Sequence, residues 1–298
     1  MFPGTSHTEL YKSHDRFWQD YDYVYPVLSR RSRGISVGVN ITPAGECNFR
    51  CVYCQVDQGL TRKLPAYDLR KLRDELETCT AWALSGAIFE HEIFRGVPEP
   101  LRRVNDIAFS GDGEPTLSPI FAEAVDIAAS VRLSLMEHGE TEKIRLAASE
   151  MKLVLITNAT RFRQPAVRAV LTKLMANHGE IWAKLDAGTE AYYKKIDRSA
   201  VSFSEILAGL TEISWEYPIV LQTLFCRLAG SPPPPSEISA YICRLQEILA
   251  AGGKIDHIQL HSVCRRTAEA DCTALDAETL AEIAGRIHAE TGVEVRVF

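Results

Sequence analysis

Six short apolar runs, each followed by a stretch able to form a helix, constrain the fold of this chain more than any other feature. They are Ile35 to Thr42, Asp106 to Ser110, Leu153 to Thr157, Ile181 to Asp186, Ile219 to Cys226 and Ile255 to His261. These runs lack strict polar/apolar alternation, so they predict strands covered by helices on one side and packed inward on the other. Repeated strand-helix units predict an α/β chain with a parallel sheet, closed as a barrel or left open. The intervening helices are predicted at 64–87, 120–135, 164–177, 203–214, 235–251 and 276–290. Ser202 and Asp276 are suited to N-caps, and Gly252-Gly253 and Gly292 to stops. The charged segment 138–150 reads as a solvated excursion before the third strand, and Pro232 to Pro235 as a rigid turn too short to link two domains.

At 298 residues the chain is long enough for a substantial core, and its hydrophobic fraction of 46% is that of an ordinary globular protein. No apolar run is long enough to span a bilayer, and the N-terminus lacks the features of a signal peptide, so a cytoplasmic protein with no membrane partner is expected. Eight cysteines in that setting predict reduced thiols or metal ligands rather than a disulfide framework. Thirty-three basic against 39 acidic residues give a net charge of -6, which argues against a surface devoted to nucleic acid. Local basic groups remain at Arg30, Arg31 and Arg33.

The sharpest chemical signal follows the first predicted strand. In GECNFRCVYCQ, Cys47, Cys51 and Cys54 are spaced C-x3-C-x2-C. Thiolates are the usual ligands of iron-sulfur clusters, and spacing this tight lets one loop wrap three corners of a cubane. The fourth iron is then open to an amino acid's amino and carboxylate groups. A zinc site would need a fourth ligand, usually from a second pair, and none follows in the pattern. A zinc or iron-sulfur binding module without catalysis is the rival reading.

At these residues the sequence resembles the radical S-adenosylmethionine (SAM) superfamily, whose hallmark is this spacing with an aromatic before the last cysteine, here Tyr53. The resemblance implies a partial (β/α)6 TIM-like barrel over 35–298, preceded by an N-terminal extension over 1–34. It implies a [4Fe-4S] cluster that reductively cleaves SAM to a 5'-deoxyadenosyl radical, and the radical then takes a hydrogen from substrate. Tyr53 would lie near the adenine. The turn FSGDGEPTLSP looks like the family's SAM-binding turn, with Gly111, Asp112, Gly113 and Glu114 as candidates, Glu114 toward the methionine ammonium. A tight Gly-Asp-Gly turn is the plainer reading.

Other candidates sit at strand ends, where a parallel barrel has its mouth. LITNAT places Thr157 and Asn158 there, and the resemblance points them at the methionine carboxylate or ribose. WAKLDAG places Lys184 and Asp186 on one face, where a charged pair must be neutralised or line a cavity. Gln222, Gln259 and His261 alternate with apolar residues on later strands. Cys226 and Cys264 fall at neighbouring strand ends with Cys272 a short loop away, as candidates for a second cluster or a substrate contact, and Arg265 is a substrate-side candidate. Cys79 and Cys243 fall on predicted helices and read as core.

The likeness is closest to the wybutosine-biosynthesis-like Fe-S oxidoreductase branch. It rests on SRRSRGISVGVNITPAGECNFRCVYCQ, SGDGEPTL, LITNAT, KLDAG with Lys195 to Arg198 after it, and IQLHSVCRR, and so runs from about residue 29 to the C-terminus. The sequence has no flavodoxin-like stretch and no cysteine-rich C-terminal region, so an external one-electron reductant of flavodoxin or ferredoxin type is expected. The substrate is expected to be a small molecule or a peptide. A tRNA base is the alternative the relatives suggest, with Arg265-Arg266 and the arginines near Arg30 as phosphate contacts.

Overall fold

The computed structural model describes residues 18–56, 66–265, 267 and 269–298. Each of the six predicted runs forms a strand. In chain order the strands are β1 (Val24–Ser29), β2 (Gly34–Val39), β3 (Val104–Phe109), β4 (Lys152–Thr157), β5 (Gly179–Lys184), β6 (Ile219–Leu224), β7 (Cys226–Leu228), β8 (Ile255–His261), β9 (Cys272–Ala274) and β10 (Glu294–Val297). The helices are α1 (Leu69–Ser85), α2 (Phe121–His138), α3 (Glu142–Glu150), α4 (Pro165–Ala176), α5 (Glu190–Ile196), α6 (Phe203–Glu216), α7 (Pro235–Ala250) and α8 (Ala277–Thr291). The chain groups into two compact units, Met1–Glu46 with Lys63–Leu155 and Ala169–Gly179, and Cys47–Arg62 with Ile156–Arg168 and Glu180–Phe298.

In the first unit, β2, β3 and β4 pair in parallel and β1 joins β2 antiparallel, Val24 opposite Val39. Every residue of β2 is buried, as expected for a strand covered on both faces. Strand β1 lies within 1–34, and its alternation is too weak to be legible because five of its six residues are apolar or aromatic-flanked by Pro26. A buried carboxylate anchors its start: Glu75 of α1 accepts hydrogen bonds from the N–H groups of Asp22, Tyr23 and Val24. Gly38 of β2 is required by its register partner, since a Cβ there would fall 2.3 Å from the Tyr25 ring.

Helix ends follow capping chemistry. Asp68 accepts from the N–H groups of Arg70 and Lys71, so α1 starts at Leu69 rather than at 64, and residues 64–65 lie outside the described region. The excursion expected over 138–150 is instead largely helical. Thr141 caps α3 through the N–H of Ile144, and Ile144 and Ala148 pack on Leu84, so two buried positions suffice to hold a short, largely solvated helix.

In the second unit, β5, β6, β8 and β10 pair in parallel in that order. Ser202 caps α6 and Asp276 caps α8, and Gly292 ends α8 in the left-handed conformation, as the sequence predicts. The run expected to continue to Cys226 breaks after Leu224. The chain then enters β7, which pairs antiparallel with β9 as a separate two-stranded ladder. Thr189 caps the short helix α5, which carried too few apolar positions to show a period. Among the described residues no helix is long and apolar enough to cross a membrane.

Candidate active site

The cysteine loop belongs to the second unit and is tied to the end of α5. Arg50 N–H donates to Asp197 O at 2.8 Å and Val52 N–H to Ile196 O at 2.9 Å, so the loop runs alongside the helix end rather than free. Val52 is fully buried beside Ile196 and Leu224. That anchor leaves Cys47, Cys51 and Cys54 half-buried and outside any disulfide.

Around Cys47 the donors converge. The backbone N–H of Phe49 points to Cys47 Sγ at 3.4 Å and the Asn158 side-chain amide at 3.8 Å. Asn158 also donates to Asn48 Oδ1 at 2.7 Å, and Asn48 donates to Thr160 Oγ1 at 2.8 Å. Asn158 is thus fixed by side chains from the loop itself, while Thr157 Oγ1 accepts the N–H of Ala159 and shapes the turn that follows β4.

Beneath Cys51 lies a buried charged cluster. Lys184 Nζ sits 3.3 Å from Asp186 Oδ2 and 4.8 Å above the Tyr53 ring. Tyr53 donates its hydroxyl to Asp186 Oδ2 and is also 3.2 Å from Asp197 Oδ1, and Cys51 Sγ lies 3.6 Å from the same Asp197 oxygen. Leu224 N–H caps Asp186 Oδ1 at 2.6 Å. The sequence argument that Lys184 and Asp186 must be neutralised is met by their pairing with each other. Asp197 is the member that sequence reasoning missed. It lies in the Lys195 to Arg198 run, but nothing in that run distinguishes a buried carboxylate at a helix end from a solvated one.

Burial, and then the neighbouring Asp186, push the Asp197 carboxyl well above the ordinary carboxylate range, with Lys184 pulling the other way. Burial and Asp197 likewise raise the Cys51 thiol, and burial and Asp186 raise the Tyr53 phenol. For Lys184 burial alone would lower the ammonium, but Asp186, Cys51 and Asp197 outweigh it and raise it.

Gln222 and Gln259 are register partners on β6 and β8, and the Gln222 amide donates to Gln259 Oε1 at 2.9 Å. Gln259 continues to His257 at 3.4 Å, which makes this a connected buried polar row. His261 Nδ1 lies 3.2 Å from Gln259 O. Arg265 Nη1 reaches Gln55 Oε1, next to Cys54, at 3.3 Å. Arg266 lies outside the described residues. Of the later cysteines, Cys264 is exposed, while Cys226 and Cys272 are buried on the β7–β9 ladder in one apolar cluster. Cys79 is buried as expected, whereas Cys243 is exposed on the outer side of α7.

The glycine turn lies in the first unit. Here the structure gives a protein-internal reason for the glycines, since a Cβ on Gly111 would meet Asn40 Oδ1 and one on Gly113 would meet Glu46 O, both at 2.1 Å. Asp112 accepts from the Asn40 amide at 2.9 Å, and Glu114 Oε1 accepts from Thr116 N and Oγ1. Among the described residues the neighbouring Glu46 Oε2 is buried without a hydrogen-bond partner, beside the turn.

Comparison with solved structures gives the fold its place. Over 88% of this chain and 75% of the other, the structure matches TYW1 with a lysine-pyruvate adduct bound, with a TM-score of 0.54 at 17% identity. Over 90% of this chain and 52% of the other, it matches Streptococcus suis SuiB bound to S-adenosylmethionine, also at a TM-score of 0.54 and with 11% identity. The chain shares the fold of these two structures. Its mixed α/β, mostly parallel strands are those of the partial TIM-type barrel that the sequence predicts.

No family model matches the chain. Among curated proteins, it is 24% identical over 283 residues to a protein named GTPase Obg of Brachyspira hyodysenteriae, covering 91% of this chain and 34% of that one. It is 24% identical over 192 residues to UPF0026 protein MJ1312 of Methanocaldococcus jannaschii, covering 62% and 47%. The chain therefore spans between a third and a half of the curated relatives it matches.

By residue type, the donor set of the cysteine loop suits an iron-sulfur cluster. Three thiols on one anchored loop are accompanied by N–H donors aimed at Cys47 Sγ, while at Cys51 the Lys184 ammonium opposes the burial and the Asp197 charge that raise the thiol. Among the described residues no three or more His, Cys, Asp or Glu side chains, the loop cysteines included, are gathered closely enough to hold a metal ion.

Proposed function

We propose that the chain is a radical SAM enzyme in which Cys47, Cys51 and Cys54 hold a [4Fe-4S] cluster and S-adenosylmethionine is the cosubstrate. The observation that carries this is the anchored C-x3-C-x2-C loop set over a buried Lys184–Asp186–Tyr53–Asp197 cluster, on a fold shared with enzymes of this class. When bound, the cluster and SAM supply one-electron cleavage to a 5'-deoxyadenosyl radical that takes a hydrogen from substrate.

The chain's own residues prepare for that chemistry. Asn158 and the Phe49 N–H offset negative charge on Cys47. Lys184 offsets the negative charge around Cys51, and Asp186 and Asp197 hold Tyr53 in one orientation. The apolar packing of Val52, Ile196 and Leu224 keeps water from the inner side of the loop. Gly111 to Glu114, Thr157, Gln222 and Gln259 are the further cosubstrate candidates.

The net charge of -6 favours a small metabolite or a peptide as substrate, with electrons from an external flavodoxin- or ferredoxin-type protein. Anaerobic reconstitution with iron and sulfide, then dithionite and SAM, is expected to yield 5'-deoxyadenosine, and Cys51→Ala to abolish it. A correctly loaded cluster that forms no 5'-deoxyadenosine overturns the proposal, and a colourless zinc-loaded protein without SAM affinity indicates the non-catalytic module. The tRNA alternative draws on the Arg30, Arg31 and Arg33 hairpin, and gel shifts with total tRNA across a salt series test it.

A further inference from the structure

The proposed chemistry leaves two buried sulfurs of the second unit unused. Cys226 opens β7 and Cys272 opens β9. In their antiparallel ladder Cys226 faces Ala274 and Leu228 faces Cys272, so the two cysteines are diagonal neighbours on one face. Both are buried and neither is in a disulfide. Both belong to the apolar cluster that also holds Val52, Tyr53 and Leu224.

Their surroundings differ. Cys226 is sealed at 1% exposure. Cys272, at 4%, forms part of the wall of a cavity of about 360 Å³ that is also lined by Arg265, Thr267 and Thr273. One sulfur thus borders a space that admits a small molecule, and the other is held directly behind it. Access from the cavity makes Cys272 the sulfur that a small disulfide reaches first.

We propose that Cys226 and Cys272 form a thiol-disulfide exchange site that takes a low-molecular-weight disulfide from this cavity, with Cys272 as the attacking thiol and Cys226 as the resolving thiol. In the first step Cys272 Sγ, having lost its proton, attacks one sulfur of the small disulfide. The S–S bond breaks, a mixed disulfide forms on Cys272, and the first thiolate leaves and takes up that proton. In the second step Cys226 gives up its proton and attacks Cys272 Sγ, and the second small thiol departs with that proton. The two cysteines are oxidised by two electrons, and the small disulfide is reduced to two thiols.

Ladder geometry makes the bond a reversible one. Diagonal partners in an antiparallel pair stand about 7–8 Å apart at Cα, whereas disulfides span about 4.4–6.8 Å. Closing the bond therefore shifts a ladder of three residues per strand, and a strained disulfide is readily reduced again.

The test uses the full chain, purified anaerobically and incubated without SAM in glutathione buffers of graded oxidised-to-reduced ratio. Acid quenching, alkylation, digestion and mass spectrometry then read the cysteines. The expected result is a cross-linked peptide joining Cys226 to Cys272 that grows with oxidised glutathione and reverts with reduced glutathione. Cys226→Ser is expected to accumulate glutathione on Cys272, and Cys272→Ser to carry roughly tenfold less on Cys226. Both cysteines remaining alkylatable at every ratio overturns the proposal. So does pairing of Cys272 with Cys264 or a loop cysteine, or equal glutathione capture by the two variants. With SAM absent, the outcome is independent of the radical chemistry.

Discussion

Replacing Lys184 with Met isolates the contribution of the charge buried beneath the cysteine loop. The substitution keeps an unbranched apolar stem over the Tyr53 ring and removes the ammonium that faces Asp186 at 3.3 Å. The Lys184 side chain is 19% exposed and that of Asp186 0%, so the pair is poorly screened. Two unit charges at that distance attract by about 5 kcal/mol at an effective dielectric constant of about 20. Desolvation offsets much of this in the intact pair, but removing one partner leaves a buried carboxylate uncompensated, at a cost of about 3–5 kcal/mol. Asp186→Asn keeps an acceptor for Leu224 N–H and loses only the charge. In the double variant both charges are gone, and its cost should fall short of the sum of the single costs by about 2 kcal/mol or more. Urea unfolding of the full chain, followed by tryptophan fluorescence, measures all four proteins. Two single losses below about 1 kcal/mol that simply add would refute the reasoning, because that is how a solvated surface pair behaves.

Tyr53→Phe removes a hydroxyl shared by two buried carboxylates and should cost about 2–3 kcal/mol in the same assay. Gly188→Ala should destabilise by more than about 3 kcal/mol, because its Cβ would fall 2.0 Å from Tyr241 N, a backbone atom that cannot turn aside. Asp276, the N-cap of α8, is held below the ordinary carboxylate range first by the Thr279 N–H and then by the Thr279 side chain and Arg227. Its lowered pKa means that its stabilisation is complete above the unfolded value of about 4 and is lost as pH falls through the folded one. Asp276→Asn should therefore flatten part of the fall in stability between about pH 4 and pH 2, measured by urea midpoints across that range.

What the sequence made legible follows the length over which each signal accumulates. Strands β2, β4 and β6 are mostly apolar runs, and α6 and α8 carry both a capping side chain and an apolar stripe, so several residues point to the same element. Strands β7, β9 and β10 have three or four residues each, and their pairing depends on distant partners that no local pattern records. The same holds in the site. Lys184 and Asp186 were conspicuous because a charged pair interrupts an apolar run, while Asp197 sits in a polar stretch where one more acid is unremarkable. Its burial becomes apparent only when Arg50 and Val52 of the cysteine loop hydrogen-bond across the end of α5.

These same contacts suggest why the charged cluster belongs with the cysteine loop rather than with the sheet alone. The loop buries Phe49, Val52 and Val56, with Phe49 edge-on to Tyr193. It is also held by two backbone hydrogen bonds to the end of α5, by the Asn48 bonds to Asn158, Thr160 and Ser199, and by the bonds of Tyr53 and Cys51 to carboxylates. Charge placed there acts twice, fixing the loop's position and setting the field felt by its sulfurs. A variant that weakens this cluster should therefore alter loop order and thiol reactivity together. A change confined to one of them would separate the two roles.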